Sequence, residues 1–153
     1  MIIEKIYGKL GETEKNVDYV TIDWFERDKK ILRKMTASGE EIGIRIESTL
    51  NEGDILYEDE NKIIAVEIAP CSLISVPVNS MQEMGRLCFE LGNRHLSLSI
   101  GENIVKCPFD EPTCSYLRKL GFTAEKVYEK FDDYIECKAH THTHSHEHHH
   151  HEA

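Results

Sequence analysis

The chain has 153 residues, 40% of them hydrophobic and 30% charged, which suits one ordinary domain or two small ones with real cores. Acidic residues outnumber Lys and Arg by 28 to 18, for a formal charge of −10. An acidic surface attracts cations and repels phosphate backbones, which argues against nucleic acid as the main partner, and no apolar run approaches the roughly 18 residues that span a membrane.

The segment MIIEKIYGKLGETEK interrupts its apolar residues with charge almost at once, so no secretory signal is read and the cytoplasm is the expected location. The five cysteines, Cys71, Cys88, Cys107, Cys114 and Cys137, are odd in number and lack C-x-x-C spacing. Free, mostly structural thiols are expected.

Residues 1 to about 72 read as a β-rich domain. Ile2, Ile3 and Ile6 open with a short strand, and the β-branched and aromatic residues of 19–25 predict another. Arg27-Asp28-Lys29 predicts a turn. Strands follow at 31–36 and at 41–46, divided by Ser38-Gly39, and residues 55–57 and 63–68 predict a hairpin. A small barrel or sandwich accommodates these elements.

The pattern resets around Ala69-Pro70-Cys71-Ser72, with Pro70 as linker or entry point. A strand at 73–76 leads to Ser80, a predicted helix cap with Glu83 completing a capping box. Met81, Met84, Leu87, Cys88 and Leu91 then form an apolar stripe, and Gly92-Asn93 stops the helix because both tolerate the left-handed conformation. Strands at 96–100 and 104–107 precede a helix over 112–120, introduced by Asp110 or Glu111 and stopped by Gly121, and a last strand lies within 122–131. The order β-α-β-β-α-β predicts a ferredoxin-like α+β domain over residues 73–137.

From Lys138 the chain reads KAHTHTHSHEHHHHEA, and eight of the nine histidines lie there: His140, His142, His144, His146, His148, His149, His150 and His151. Residues 138–153 hold no large apolar side chain, so a disordered tail is expected. Neutral imidazole suits nickel, zinc and copper, and several imidazoles on one segment act at high effective concentration once the first has bound. More than one ion is expected, in exchangeable sites. The Thr- and Ser-separated run and the Glu152-Ala153 ending read as native rather than as a purification tag.

The ninth histidine, His95, sits in Gly92-Asn93-Arg94-His95, where a tight turn presents it at an element edge. An isolated histidine is ordinarily a surface or hydrogen-bonded residue. A selective site arises if a two-fold axis brings His95 of two chains together, with tail histidines completing the shell. Cys107 reads as a structural thiol before a ligand, as does Cys114, while Cys137 adjoins the tail. Met81 and Met84 read as core before copper ligands. No Ser-His-Asp set, phosphate loop or H-E-x-x-H motif supports an enzyme.

With these residues in view the chain resembles the UreE family of urease accessory proteins, which are nickel chaperones. The likeness runs through Arg33-Lys34-Met35-Thr36 with Gly39, Glu52-Gly53-Asp54-Ile55-Leu56, Leu91-Gly92-Asn93-Arg94-His95 and the histidine-rich tail. It implies a partner-binding N-terminal domain and a ferredoxin-like metal-binding domain. It also implies a homodimer holding nickel between the two copies of His95. Delivery would run to the urease accessory GTPase and, through it, to the urease apoprotein complex. Family members often carry further histidines on the strand after this run, where this chain has Lys106-Cys107-Pro108-Phe109-Asp110. That departure shifts metal binding toward the tail. The competing expectation is a general buffer of nickel, zinc or copper without a delivery partner.

Overall fold

The computed structural model describes residues 1–136, which divide into two compact units. Met1–Pro70 with Lys130–Asp132 form the first, and Cys71–Glu129 with residues 133–136 form the second.

In the first unit, strands β1 (Ile2–Ile3), β4 (Glu41–Arg45) and β3 (Ile31–Met35) form one sheet in the order β1-β4-β3. Strands β2 (Asn16–Ile22), β6 (Lys62–Ile68) and β5 (Ile55–Glu58) form another in the order β2-β6-β5. The period-two pattern drives this arrangement. Val20 and Ile22 of β2, Ile42 and Ile44 of β4, and Ile64, Val66 and Ile68 of β6 all enter one core. Each such side chain contributes about 1.5–3 kcal/mol by leaving water.

Asp18 occupies the same inward row of β2 and is buried. Its carboxylate accepts from the Ser38 amide at 2.9 Å and from the Ser38 hydroxyl at 2.6 Å, which ties β2 to the turn between β3 and β4.

The strand expected over 19–25 instead covers Asn16–Ile22, and Trp24–Glu26 form a turn of 3-10 helix. Asp23 causes the change. It caps that turn, and its own amide donates to Glu26 Oε1 at 2.9 Å, so local hydrogen bonding overrides the aromatic residues' preference for strand. Ile6 packs against the core without joining a strand.

In the second unit, β7 (Pro70–Pro77), α1 (Met81–Asn93), β8 (Ser99–Ile100), β9 (Ile104–Pro108), α2 (Glu111–Lys119) and β10 (Glu125–Lys130) follow one another. The sheet runs β10-β7-β9-β8. Ile74 faces Cys107 across the antiparallel β7–β9 pair, and Val76 faces Val105. These four join Leu87 and Leu91 of α1 and Cys114 and Leu117 of α2 in a single core, so both helices cover the same sheet residues.

Pro70 begins β7 rather than serving as a linker, since a first strand residue need not donate to the ladder. Met81 is 89% exposed and leaves the predicted stripe to Leu87 and Leu91, with Met84 and Cys88 at its margin. The strand expected over 96–100 shortens to Ser99–Ile100, while Leu98 bridges to Ile135.

Candidate metal centre

Ser80 starts α1 by accepting from the Glu83 amide at 3.1 Å. The Glu83 carboxylate reaches back one residue further than a capping box requires, to the Asn79 amide at 2.7 Å. Three and a half turns later the helix ends in a way the sequence conceals. It continues through Asn93, Arg94 follows as its C-cap, and the residue that turns left-handed is His95, with φ +57°. Among the described residues it is the one non-glycine with positive φ.

The hydrogen bonds around it form a Schellman motif. The His95 amide donates to the Gly92 carbonyl at 3.0 Å and the Leu96 amide to the Leu91 carbonyl at 3.3 Å. Leu96 packs against the core that contains Leu91, which is the apolar contact that accompanies such a cap. Gly92 and Asn93, expected to supply the left-handed residue, remain helical because packing of Leu91 and Leu96 fixes where the chain turns. His95 is exposed there. Histidine tolerates this conformation better than most side chains but at a cost, and retained backbone strain points to use.

Arg94 anchors the turn. Its Nε donates to Thr113 Oγ1 at 3.0 Å, and the Thr113 hydroxyl donates to Asp110 Oδ2 at 2.6 Å. Asp110 is the N-cap of α2 and also accepts from the Thr113 amide at 3.1 Å. The two Thr113 donors hold the Asp110 carboxyl below the usual carboxylate range, helped by the nearby Arg94 charge. The Arg94 guanidinium also lies 5.2 Å from the centre of the Tyr116 ring. The Tyr116 hydroxyl donates to Glu90 at 2.8 Å, a bond that pushes its own pKa up. The end of α1 is thus clamped to the start of α2, directly before the exposed imidazole. Sequence reading missed this clamp; the Asp110-x-x-Thr113 spacing was its visible half.

The sulfur candidates lie elsewhere. Cys107 points into the core from β9, and burial, with smaller contributions from Cys114 and Asp110, pushes its thiol up to about 12. A ligand thiolate is disfavoured at that position. Cys114 is buried in the same core. Lys106, beside Cys107 on β9, pairs with Glu129. Among the described residues no group of three or more His, Cys, Asp or Glu side chains is placed to hold an ion. Within the described residues of one chain, His95 is therefore not part of such a group. Cys137 and the tail histidines, His140, His142, His144, His146, His148, His149, His150 and His151, lie outside the described residues.

Residues 3–69 match the family description "UreE urease accessory protein, N-terminal domain", and residues 71–153 match "UreE urease accessory protein, C-terminal domain". The chain is 42% identical over 145 residues to a urease accessory protein UreE of Bifidobacterium longum subsp. infantis, covering 92% of this chain and 65% of that longer relative. A urease accessory protein UreE of Flavobacterium johnsoniae is 40% identical over 144 residues, covering 88% of this chain and 86% of its own. One from Helicobacter pylori is 40% identical over 141 residues, covering 86% and 83%. The chain belongs to the UreE family of urease accessory proteins.

Proposed function

We propose that this protein is a nickel chaperone, binding nickel as cargo and delivering it for assembly of the urease active site in the cytoplasm. The observation that carries the proposal is the exposed His95, held at a strained helix end and braced by Arg94 and Thr113. Family membership supplies the urease context. A single imidazole binds weakly, and a homodimer through the second domain supplies two, related by symmetry.

In this account residues 1–72 bind partners, residues 73–137 dimerise and hold the ion, and residues 138–153 capture it. The order β-α-β-β-α-β and the sheet order β10-β7-β9-β8 support a ferredoxin-like fold for the second domain. The tail supports capture through its chemistry, since neutral imidazoles ligate nickel and also zinc or copper. Ions taken up by His140, His142, His144, His146, His148, His149, His150 and His151 pass to the paired His95 residues. Ligand exchange then moves them to the urease accessory GTPase and the urease apoprotein complex.

Nickel titration of the full chain, of a chain ending at Cys137 and of the same short chain carrying His95→Ala tests the proposal. Truncation lowers the number of ions bound and leaves one site per dimer. Adding His95→Ala abolishes that remaining site. Tight binding that survives both changes rules out the role given to His95.

A further inference from the structure

Three sulfur atoms lie along one side of α1. Met81, Met84 and Cys88 are spaced by three and four residues, the spacing that stacks side chains on a helix. Cys88 Sγ is 3.8 Å from Met84 Sδ. Met81 and Met84 both line a cavity of about 390 Å³ that also receives Glu102, from the turn between β8 and β9. Met81 is 89% exposed, and Met84 and Cys88 are half-buried at the margin of the core. Met81 and Met84 therefore border open space, and Cys88 lies half-buried one turn further along the helix.

We propose that Met81, Met84 and Cys88 form a site for one cuprous ion, separate from the His95 and tail ligands. Two sulfurs bound to one ion at a metal–sulfur distance of about 2.3 Å lie no more than about 4.6 Å apart, so Met84 and Cys88 are already within span. Met81, unbranched and one turn earlier, swings in as the third donor. Thioether and thiolate sulfur select Cu(I) over borderline ions such as nickel, which imidazole serves better.

Binding forms a Cu–Sγ bond as the Cys88 S–H bond breaks. The proton goes to solvent, and no electron changes hands.

The test uses the full chain under anaerobic, reducing conditions. One equivalent of Cu(I), supplied as its acetonitrile complex, is added before iodoacetamide, and alkylation is followed cysteine by cysteine by peptide mass mapping. Copper slows alkylation of Cys88 by roughly tenfold or more, because a metal-bound thiolate is a poor nucleophile. One equivalent of nickel leaves the rate unchanged. The paired substitutions Met81→Leu and Met84→Leu conserve volume and restore the rate in the presence of copper. An unchanged Cys88 rate with copper means the ion resides on other ligands and overturns the proposal. Full protection in the double leucine variant, or equal protection by nickel, overturns it too.

Discussion

Gly121 and His95 occupy equivalent positions at the ends of α2 and α1, with φ of +95° and +57°. Each follows a helix closed by the same pair of hydrogen bonds. Gly121 donates to the Arg118 carbonyl and Phe122 to that of Leu117, as His95 donates to Gly92 and Leu96 to Leu91. One helix uses the residue that adopts this conformation freely, and the other places an imidazole there.

His95→Gly follows from that comparison. The left-handed conformation costs a side chain about 1–2 kcal/mol, and glycine gives back about 0.5–1 kcal/mol through the freedom of its unfolded chain. The substitution stabilises the protein by up to about 1.5 kcal/mol while weakening nickel binding. His95→Val, β-branched at the same φ, is the less stable of the two. Urea denaturation of both variants checks the order, and a reversed order removes the case for strain at this turn.

Thr113 joins Arg94 to the cap of α2, and it is buried. Thr113→Val keeps the shape but removes the hydroxyl, leaving Arg94 Nε and Asp110 each without a bond they now make. A modest loss of stability is expected, because Arg94 and Asp110 are exposed and water replaces part of what the hydroxyl supplied. The tail-truncated variant also binds nickel several-fold more weakly, because the turn carrying His95 loosens, and Thr113→Ser restores both properties. Calorimetry on the truncated chain reads the affinity; identical affinity in Thr113→Val leaves the clamp a purely structural role.

Acid should act on the first unit through Asp18. Burial alone would raise its pKa, but hydrogen bonds from Ser38 and Thr36 outweigh that and hold it below the ordinary value. Its folded pKa therefore lies under the unfolded one, near 3.9. The stability it contributes is complete above that value and is lost as pH falls through the lower, folded pKa. Asp18→Asn is accordingly less stable than the parent at pH 7, and the gap narrows below about pH 4. Urea midpoints at pH 7 and pH 3 test this, and a gap that widens in acid contradicts the assignment.

Cys107 faces the core of the second unit, and burial pushes its thiol up to about 12. Cys107→Ser puts a hydroxyl in an apolar setting and costs about 1–3 kcal/mol. Nickel stoichiometry and affinity are unchanged in this variant. A loss of bound nickel without unfolding makes Cys107 a ligand and refutes the core reading.

The sequence made most elements of both units legible because their signals are local. Alternation marked β4 and β9, and Ser80, Asp110 and Gly121 announced helix ends through their own side chains or lack of one. It misled where a neighbour decides the outcome. Asp23 and Glu26 coil a stretch whose aromatic residues favour strand, and Leu91 with Leu96 sets the left-handed residue after α1 two positions beyond the pair that favours a stop. His95 was visible as a histidine near a turn, but the bracing of that turn depends on Arg94 meeting Thr113, 19 residues away, which no local pattern carries. The tail was legible as ligand chemistry alone, because composition fixes donors without fixing geometry.

The most direct measurement is a crystal structure of the nickel-loaded protein, with anomalous scattering collected at the nickel edge. The proposed role of His95 predicts one peak on the folded domains for every two chains, on a two-fold axis, with an imidazole nitrogen of each His95 at about 2.1 Å. Nickel seated on the folded domains with neither copy of His95 in contact would contradict it.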